Sequence, residues 1–151
     1  MTKVKKVIFV SCDNTCLGPA AESIFKRIGV NYEVEAISRG LVVLFPEPLN
    51  TKMLSVMEKH GLIPEKEFSE QLEKTDLTEN CLILTMTEGD LQMVQEMYPD
   101  VNAQMLRKFV GQKGDVEIPL GGSLADYEAC YEHIDLLTKM AAEIIFKEEE
   151  S

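Results

Sequence analysis

The stretch VIFVSCDNTCLGPAAESIF (residues 7–25) changes its periodicity halfway along. VIFV (7–10) is a short apolar run bounded by turn-forming residues, the pattern of a buried strand. From Pro19, at a first helical turn, Ala21, Ile24, Phe25 and Ile28 recur at helical spacing until Gly29 ends the pattern. Between the two lies a polar loop, Ser11-Cys12-Asp13-Asn14-Thr15-Cys16-Leu17-Gly18. A strand, a tight loop and a helix N-terminus are the parts of an anion cradle, because free amides and the helix dipole converge there. This loop holds no Lys or Arg and carries an acid, Asp13. The shape of an anion site is present without its charge.

The same alternation continues outward. YEVEAI (32–37) alternates as a second strand. Leu49, Met53, Val56, Met57 and His60 follow helical spacing up to Gly61. CLILTM (81–86) predicts a third strand, and Leu91, Val94 and Tyr98 form the face of another helix. MLRKFV (105–110) predicts a fourth strand. Ser123-x-x-Asp126 is a capping-box-like start to a long helix whose stripe is Leu124, Tyr127, Tyr131, Ile134, Leu137, Ala141, Ile144 and Ile145. The tail KEEES (147–151) is a solvated charge run expected to fray. Strands separated by single helices predict an α/β fold: one doubly wound, four-stranded parallel sheet flanked by helices, with ligands at the carboxyl ends of the strands. No repeat or linker interrupts residues 1–151, so a single domain is expected.

Composition narrows the function. A chain of 151 residues, 45% hydrophobic and 27% charged, is the size and character of one ordinary globular domain. Its formal charge of -11 repels nucleic acid and anionic membranes. No apolar run reaches the length of a membrane span, and the first residues lack a signal-peptide pattern, so a cytoplasmic location is expected. Cys12, Cys16, Cys81 and Cys130 are then expected to be reduced, with Cys81 and Cys130 as small core residues. Cys12-x3-Cys16 is not a usual zinc spacing, and His60 and His133 stand apart, so neither a metal nor a cofactor is expected. The eight methionines are scattered and serve as core filler.

Around this loop the chain resembles the low-molecular-weight protein tyrosine phosphatases. Their signature is a strand running into Cys-x-x-Asn-x-Cys-Arg-Ser-Pro, followed by Ala-Glu and a helical Phe. Here Ser11-Cys12-Asp13-Asn14-Thr15-Cys16-Leu17-Gly18-Pro19 is followed by Ala21-Glu22 and Phe25. ISRG (37–40) resembles the family's Ser-Ala-Gly, LILTMT (82–87) its third strand, and VEIPLGGSLADY (116–127) its Asp-Pro segment. Thr15 and the Gly-Gly-Ser run look like the bacterial branch, some of whose members act on phosphoarginine.

The resemblance implies a fold, and it locates three missing groups. The family attacks a phosphate ester with a Cys thiolate, grips the phosphoryl oxygens with an Arg and protonates the leaving oxygen with an Asp. This chain has Ser11, Leu17 and Ile118 at those positions. Six residues beyond Cys12 stands Gly18 and six beyond Cys16 stands Glu22, so neither cysteine opens a Cys-x5-Arg loop in a shifted register. Asp90 and Glu67 stand where the family has histidines. Glu117, beside Ile118, points to the opposite face and is a poor substitute acid. Loss of a charge-stabilising donor costs about 10²–10³ in rate, and loss of a general acid about 10²–10⁴. A Ser hydroxyl without a base is a far weaker nucleophile than a thiolate. These substitutions predict a pseudophosphatase acting as a protein-binding or regulatory module, toward a protein partner the sequence does not specify.

Two alternatives stay open: a weak residual phosphatase, on phosphotyrosine or phosphoarginine, and a thiol reductase through Cys12 and Cys16. A helix N-terminus can lower a thiol pKa, but Asp13 opposes this, so both thiols are expected to titrate near the ordinary value of about 8.5. For anion binding, loop amides and helix dipole offer up to about 2 kcal/mol. A carboxylate about 5 Å away opposes by about 3 kcal/mol at an effective dielectric of about 20. Arg39, after the second strand, is the one cation nominated to reach the loop, against the commoner reading of a surface arginine paired with a nearby acid. Asn14 is expected to hold a left-handed or loop-bracing position, and Gly18-Pro19 to start the helix with or without a ligand. The loop's own side chains, Asp13 or water should satisfy its amides.

Overall fold

A computed structural model describes residues 3–119 and 121–150. VIFV lies inside β1 (Lys6–Ser11), and all six of its residues are buried. A strand so apolar must be covered on both faces, which a central place in a parallel sheet provides. β2 (Glu35–Gly40), β3 (Cys81–Thr85) and β4 (Asn102–Met105) complete a four-stranded sheet in the order β2-β1-β3-β4. Every pairing is parallel.

Alternation along β1 divides the core. Val7 and Phe9 face the larger cluster, with α1 (Leu17–Ile28), α2 (Thr51–Lys59) and α5 (Leu124–Glu150). Ile8 and Val10 face a smaller one, with Leu41, Leu72, Ile83 and Val94, the last on α3 (Glu88–Met97). An aromatic chain ties the long helix to the sheet: Phe9 meets Phe25 at 5.9 Å, Phe25 meets Phe146 at 5.2 Å, and Tyr32 stacks on Phe146 at 4.0 Å. Ser123 and Asp126 form the expected reciprocal cap, with Ser123 N donating to Asp126 Oδ2 at 2.9 Å and Asp126 N to Ser123 Oγ at 3.2 Å.

Three expectations need correction. The second strand occupies 35–40, not 32–37, because pairing with β1 starts at Lys6↔Glu35 while Tyr32 leaves the sheet to stack on Phe146. The fourth strand is the polar Asn102–Met105, not 105–110. As an edge strand paired only with β3 it needs no apolar run, and the LRKF that follows turns into a short helix, α4 (Leu106–Phe109), which buries Leu106. On α5, Leu124 and Ile144 do not join the buried stripe; they are 56% and 37% exposed. α5 runs past buried Ile145 and Phe146 to Glu150, while Ser151 lies outside the described residues. Leu120, within the segment resembling the family's Asp-Pro stretch, also lies outside them. Among the described residues no helix is long and apolar enough to cross a membrane.

Candidate functional site

β1, β2 and β3 run parallel, so their carboxyl ends gather at Ser11, Gly40 and Thr85 on one edge. The polar loop between β1 and α1 lies there. Asn14 makes its tight turn in the left-handed region, with φ of 61°, a conformation Asn tolerates better than most residues. Asn14 N donates to Ser11 Oγ at 3.2 Å, and Thr15 N donates to Asp13 Oδ1 at 3.1 Å. Two loop amides are thus held by the loop's own oxygens, one of them a carboxylate occupying the donor an anion would want.

Neighbouring segments fix the loop from outside. Leu41 N and Val42 N donate to Cys12 O at 2.9 and 3.0 Å, and Asn50 N donates to Thr15 O at 2.8 Å. From below, Asn14 Oδ1 accepts from Lys66 Nζ at 2.6 Å and from Glu70 N at 2.9 Å. Lys66 Nζ also donates to Ser38 O at 2.8 Å. Burial of this ammonium lowers its pKa, opposed by the nearby Glu22 and Glu70 carboxylates. Glu22 is itself buried, accepting from Ser38 Oγ at 2.7 Å and from Lys26 Nζ at 2.7 Å.

Lys66 stands in the charged run PEKEFSEQ, whose composition is that of a solvated loop and gives no local sign of a buried contact. Lys66, and not its neighbour Glu67 at the position resembling a family histidine, reaches Asn14. Arg39 fails as the loop's cation for a reason of parity. Ser38 faces Glu22 on the loop side of β2, so Arg39 faces the other way. It pairs there with Asp76 and Glu70, each at 3.2 Å, and donates to Ser38 O at 2.8 Å. The paired-arginine reading is the one the structure shows.

Ser11, Leu17 and Ile118, the positions the resemblance assigned to nucleophile, arginine and acid, are all drawn inward. Ser11 is buried, with its oxygen occupied by Asn14 N. Leu17 is only 4% exposed and belongs to the larger core cluster, and Ile118 packs against that cluster. Gly18 and Cys16 are buried beside them, while Cys12 and Asp13 are exposed and Thr15 is intermediate.

Electrostatics at the loop mouth are acidic. Asp90, in the first turn of α3 and capped by Thr87, has its pKa raised by burial and further by Asp115 and Asp13, against hydrogen bonds from Thr87. Burial, then Asp90 and Asp13, raise the Cys12 thiol. Burial first, then Cys130 and Asp13, push Cys16 up to about 12. The expectation of ordinary thiols near 8.5 is therefore overturned for both: desolvation and nearby negative charge disfavour the thiolate. All four cysteines are free, and among the described residues no group of three or more His, Cys, Asp or Glu is placed to hold a metal. A cavity of about 700 Å³ lies at the opposite edge of the sheet, between Val4, Asn80, Cys81, Tyr98 and Asn102. It shares no residue with the loop.

The family description "Low molecular weight phosphotyrosine protein phosphatase" matches residues 6–150. A low-molecular-weight protein-tyrosine-phosphatase, PtpB, from Staphylococcus haemolyticus is 35% identical over 131 residues, covering 85% of this chain and 91% of that one. Among solved structures, a low-molecular-weight protein tyrosine phosphatase from T. tengcongensis superposes with a TM-score of 0.85 at 29% identity, over 91% of this chain and 97% of the other. A Cys-to-Ser mutant of the YwlE arginine phosphatase, with a phosphorylated active-site serine, superposes with a TM-score of 0.86 at 26% identity, over 94% and 96%.

Proposed function

The chain belongs to the low-molecular-weight phosphotyrosine protein phosphatase family, and on that premise we propose that it is a pseudophosphatase, a protein-binding module built on a phosphatase fold. The observation that carries the reading is Leu17. Where the resemblance places the arginine that neutralises the phosphoryl group, the chain folds an apolar side chain into its core. Binding of a dianion at the loop would meet Asp13 and Asp90, while the nearby cations among the described residues are engaged elsewhere, Arg39 with Asp76 and Glu70 and Lys66 with Asn14 and Ser38. Among the described residues no acid or histidine hydrogen-bonds the Ser11 hydroxyl to activate it, and Ile118 has no proton to give.

The thiol-reductase alternative is opposed by the raised pKa of Cys12 and Cys16. A cytoplasmic location is part of the same proposal, and the four free cysteines agree with it.

The test is turnover of aryl phosphates and of phosphotyrosine and phosphoarginine peptides between about pH 5 and pH 8, the range in which family chemistry by acid and base would operate. No activity above background is expected. Ser11→Cys alone should restore little, because the phosphate would still meet Asp13 without an arginine. Ser11→Cys, Leu17→Arg and Ile118→Asp together with Asp13→Gly should recover measurable aryl phosphatase activity. The phosphorylated serine of the YwlE mutant makes intact-mass measurement of Ser11 after substrate exposure a useful second readout. Robust turnover by the unaltered protein, or a phosphoryl group accumulating on Ser11, would overturn the reading.

A further inference from the structure

Beyond β2 the segment 42–48 runs beside the loop and exposes apolar side chains that no core covers. Val42, Leu44 and Phe45 are 47%, 83% and 75% exposed. Phe68, 48% exposed, lies on the stretch bridged to this segment through Pro48↔Phe68. These side chains do not ride on a loose loop. Val42 N donates to Cys12 O at 3.0 Å, Val43 N to Gln71 Oε1 at 2.9 Å, Glu47 N to Ser69 Oγ at 2.9 Å and Ser69 N to Glu47 O at 2.8 Å. A backbone pinned at intervals presents its apolar residues in a fixed arrangement, which lowers the ordering cost of burying them against a partner.

Charge decides which partner. Asp13 follows Cys12, whose carbonyl holds Val42, Glu47 belongs to the segment itself and Glu67 precedes Phe68; all three are exposed, and among the described residues none of them forms an ion pair. The basic side chains nearby are committed: Arg39 to Asp76 and Glu70, Lys66 to Asn14 and Ser38, Lys26 to Glu22 and Glu65. A second copy of this chain would bring another charge of -11 and the same acidic rim, so self-association works against electrostatic repulsion. An apolar surface rimmed by unpaired carboxylates is complementary to an apolar anchor flanked by cations.

We infer that this face docks a basic segment of another protein, with an apolar or aromatic residue packed on Leu44 and Phe45 and Lys or Arg side chains answering Asp13, Glu47 and Glu67. The inference rests on the reading of the protein as a binding module, and it names the class of partner. The site thereby selects the opposite charge from the one a phosphatase edge selects.

The experiment titrates the full chain into a panel of short labelled peptides followed by fluorescence anisotropy. One set carries Phe or Leu flanked by Lys and Arg, a second replaces the apolar residue by Ser, a third replaces the cations by Glu, and a fourth carries phosphotyrosine. Binding is expected in the first set only, weakening at least about tenfold when salt rises enough to screen surface charge. Leu44→Ser with Phe45→Ser should weaken binding at least about tenfold, as loss of central apolar anchors does. Glu47→Gln with Glu67→Gln should mainly slow association and flatten the salt dependence. All four positions are exposed, and unchanged thermal unfolding checks that the variants fold. Equal or tighter binding of the acidic or phosphotyrosine sets, no binding of the basic set, or indifference to the Leu44 and Phe45 changes would overturn the inference. So would sedimentation showing a dimer that Phe45→Ser dissolves, which would make the occupant a second copy. Phosphatase turnover with basic-peptide binding intact would instead sink the pseudophosphatase reading and leave this one standing.

Discussion

Asn14 Nδ2 is fully buried and has no hydrogen-bond acceptor among the described residues, although Asn14 Oδ1 has two donors. The missing acceptor has an address. A Cβ built on Gly18 would lie 3.2 Å from Asn14 Nδ2, 3.3 Å from Ser38 Cβ and 3.4 Å from Ser11 Oγ. A serine at position 18, the residue of the family signature, would bring a hydroxyl to that amide. Gly18→Ser and Gly18→Ala share the same Cβ contacts and the same loss of glycine's backbone freedom, so their difference reports the hydroxyl, its bulk included. The Ser variant should exceed the Ala variant in stability by about 1 kcal/mol in urea unfolding, the net worth of one satisfied buried hydrogen bond. Equal midpoints would mean that the amide is already satisfied by solvent.

Asp90 makes a residue-scale prediction with a pH signature. Its folded pKa is raised, burial being the largest cause, so ionised Asp90 destabilises the fold. The penalty is present in full above the folded pKa. It shrinks as pH falls through that value and vanishes below the unfolded value of about 3.9. Asp90→Asn should therefore melt above the unaltered protein at neutral pH, with the gap closing toward acid. A gap independent of pH would show that packing, and not ionisation, separates the two.

The loop between β1 and α1 holds its shape because β2 comes unusually close, and Gly40 permits it. A Cβ there would lie 2.5 Å from Val43 Cγ2, 3.0 Å from Asn14 Cβ and 3.2 Å from the Asp13 carbonyl carbon. Val43 can shift, but Asn14 and Asp13 belong to the braced loop, and Gly40 itself is held by Gly40 N→Glu70 O at 2.7 Å and Leu72 N→Gly40 O at 2.8 Å. Gly40→Ala should cost about 1–3 kcal/mol, the usual range for overpacking, and should move the amide resonances of residues 12–15. Gly89→Ala is the control: its nearest contact would be Thr87 Oγ1 at 3.8 Å, inside helix α3, so it should be neutral or mildly stabilising. At this scale the sequence was informative where periodicity and burial coincide. Strand β1 and helix α1 are legible because four consecutive apolar residues fill the centre of the buried strand and Pro19 stands in the first helical turn. Strand β4 was misplaced because an edge strand can be as polar as Asn-Ala-Gln-Met, while the apolar run beside it went to a helix turn. The loop's supports were legible only in part: Asn14 announced itself by type, but Lys66 reaches it from 52 positions away, a contact that no local pattern encodes.

Over the whole molecule, shape and charge point in different directions. The fold gathers backbone donors at the carboxyl edge of a parallel sheet, as anion-binding α/β proteins do, yet the chain carries -11 overall and places Asp13 and Asp90 at that edge. Their relative weight can be read from stability. A phosphate ion bound to the folded state alone, at about fifty times its dissociation constant, would add about 2.3 kcal/mol. For a domain of this size that corresponds to a rise of about 5–9 °C in melting temperature. Phosphate also stabilises proteins without binding, by exclusion from their surface, but that effect is weak at millimolar concentration and grows steadily with the salt. The two are separable by comparing about 10 mM phosphate with chloride at equal ionic strength, where exclusion is small and specific binding is not. The expected shift for the unaltered chain is under about 1 °C, because Asp13 already occupies a loop amide and no cation reaches the anion. With Asp13→Gly and Leu17→Arg together, the same phosphate should raise the melting temperature measurably above its chloride control. A shift of several degrees in the unaltered protein would mean that backbone geometry outweighs charge at this loop, and the cradle would have to be regarded as a working anion site.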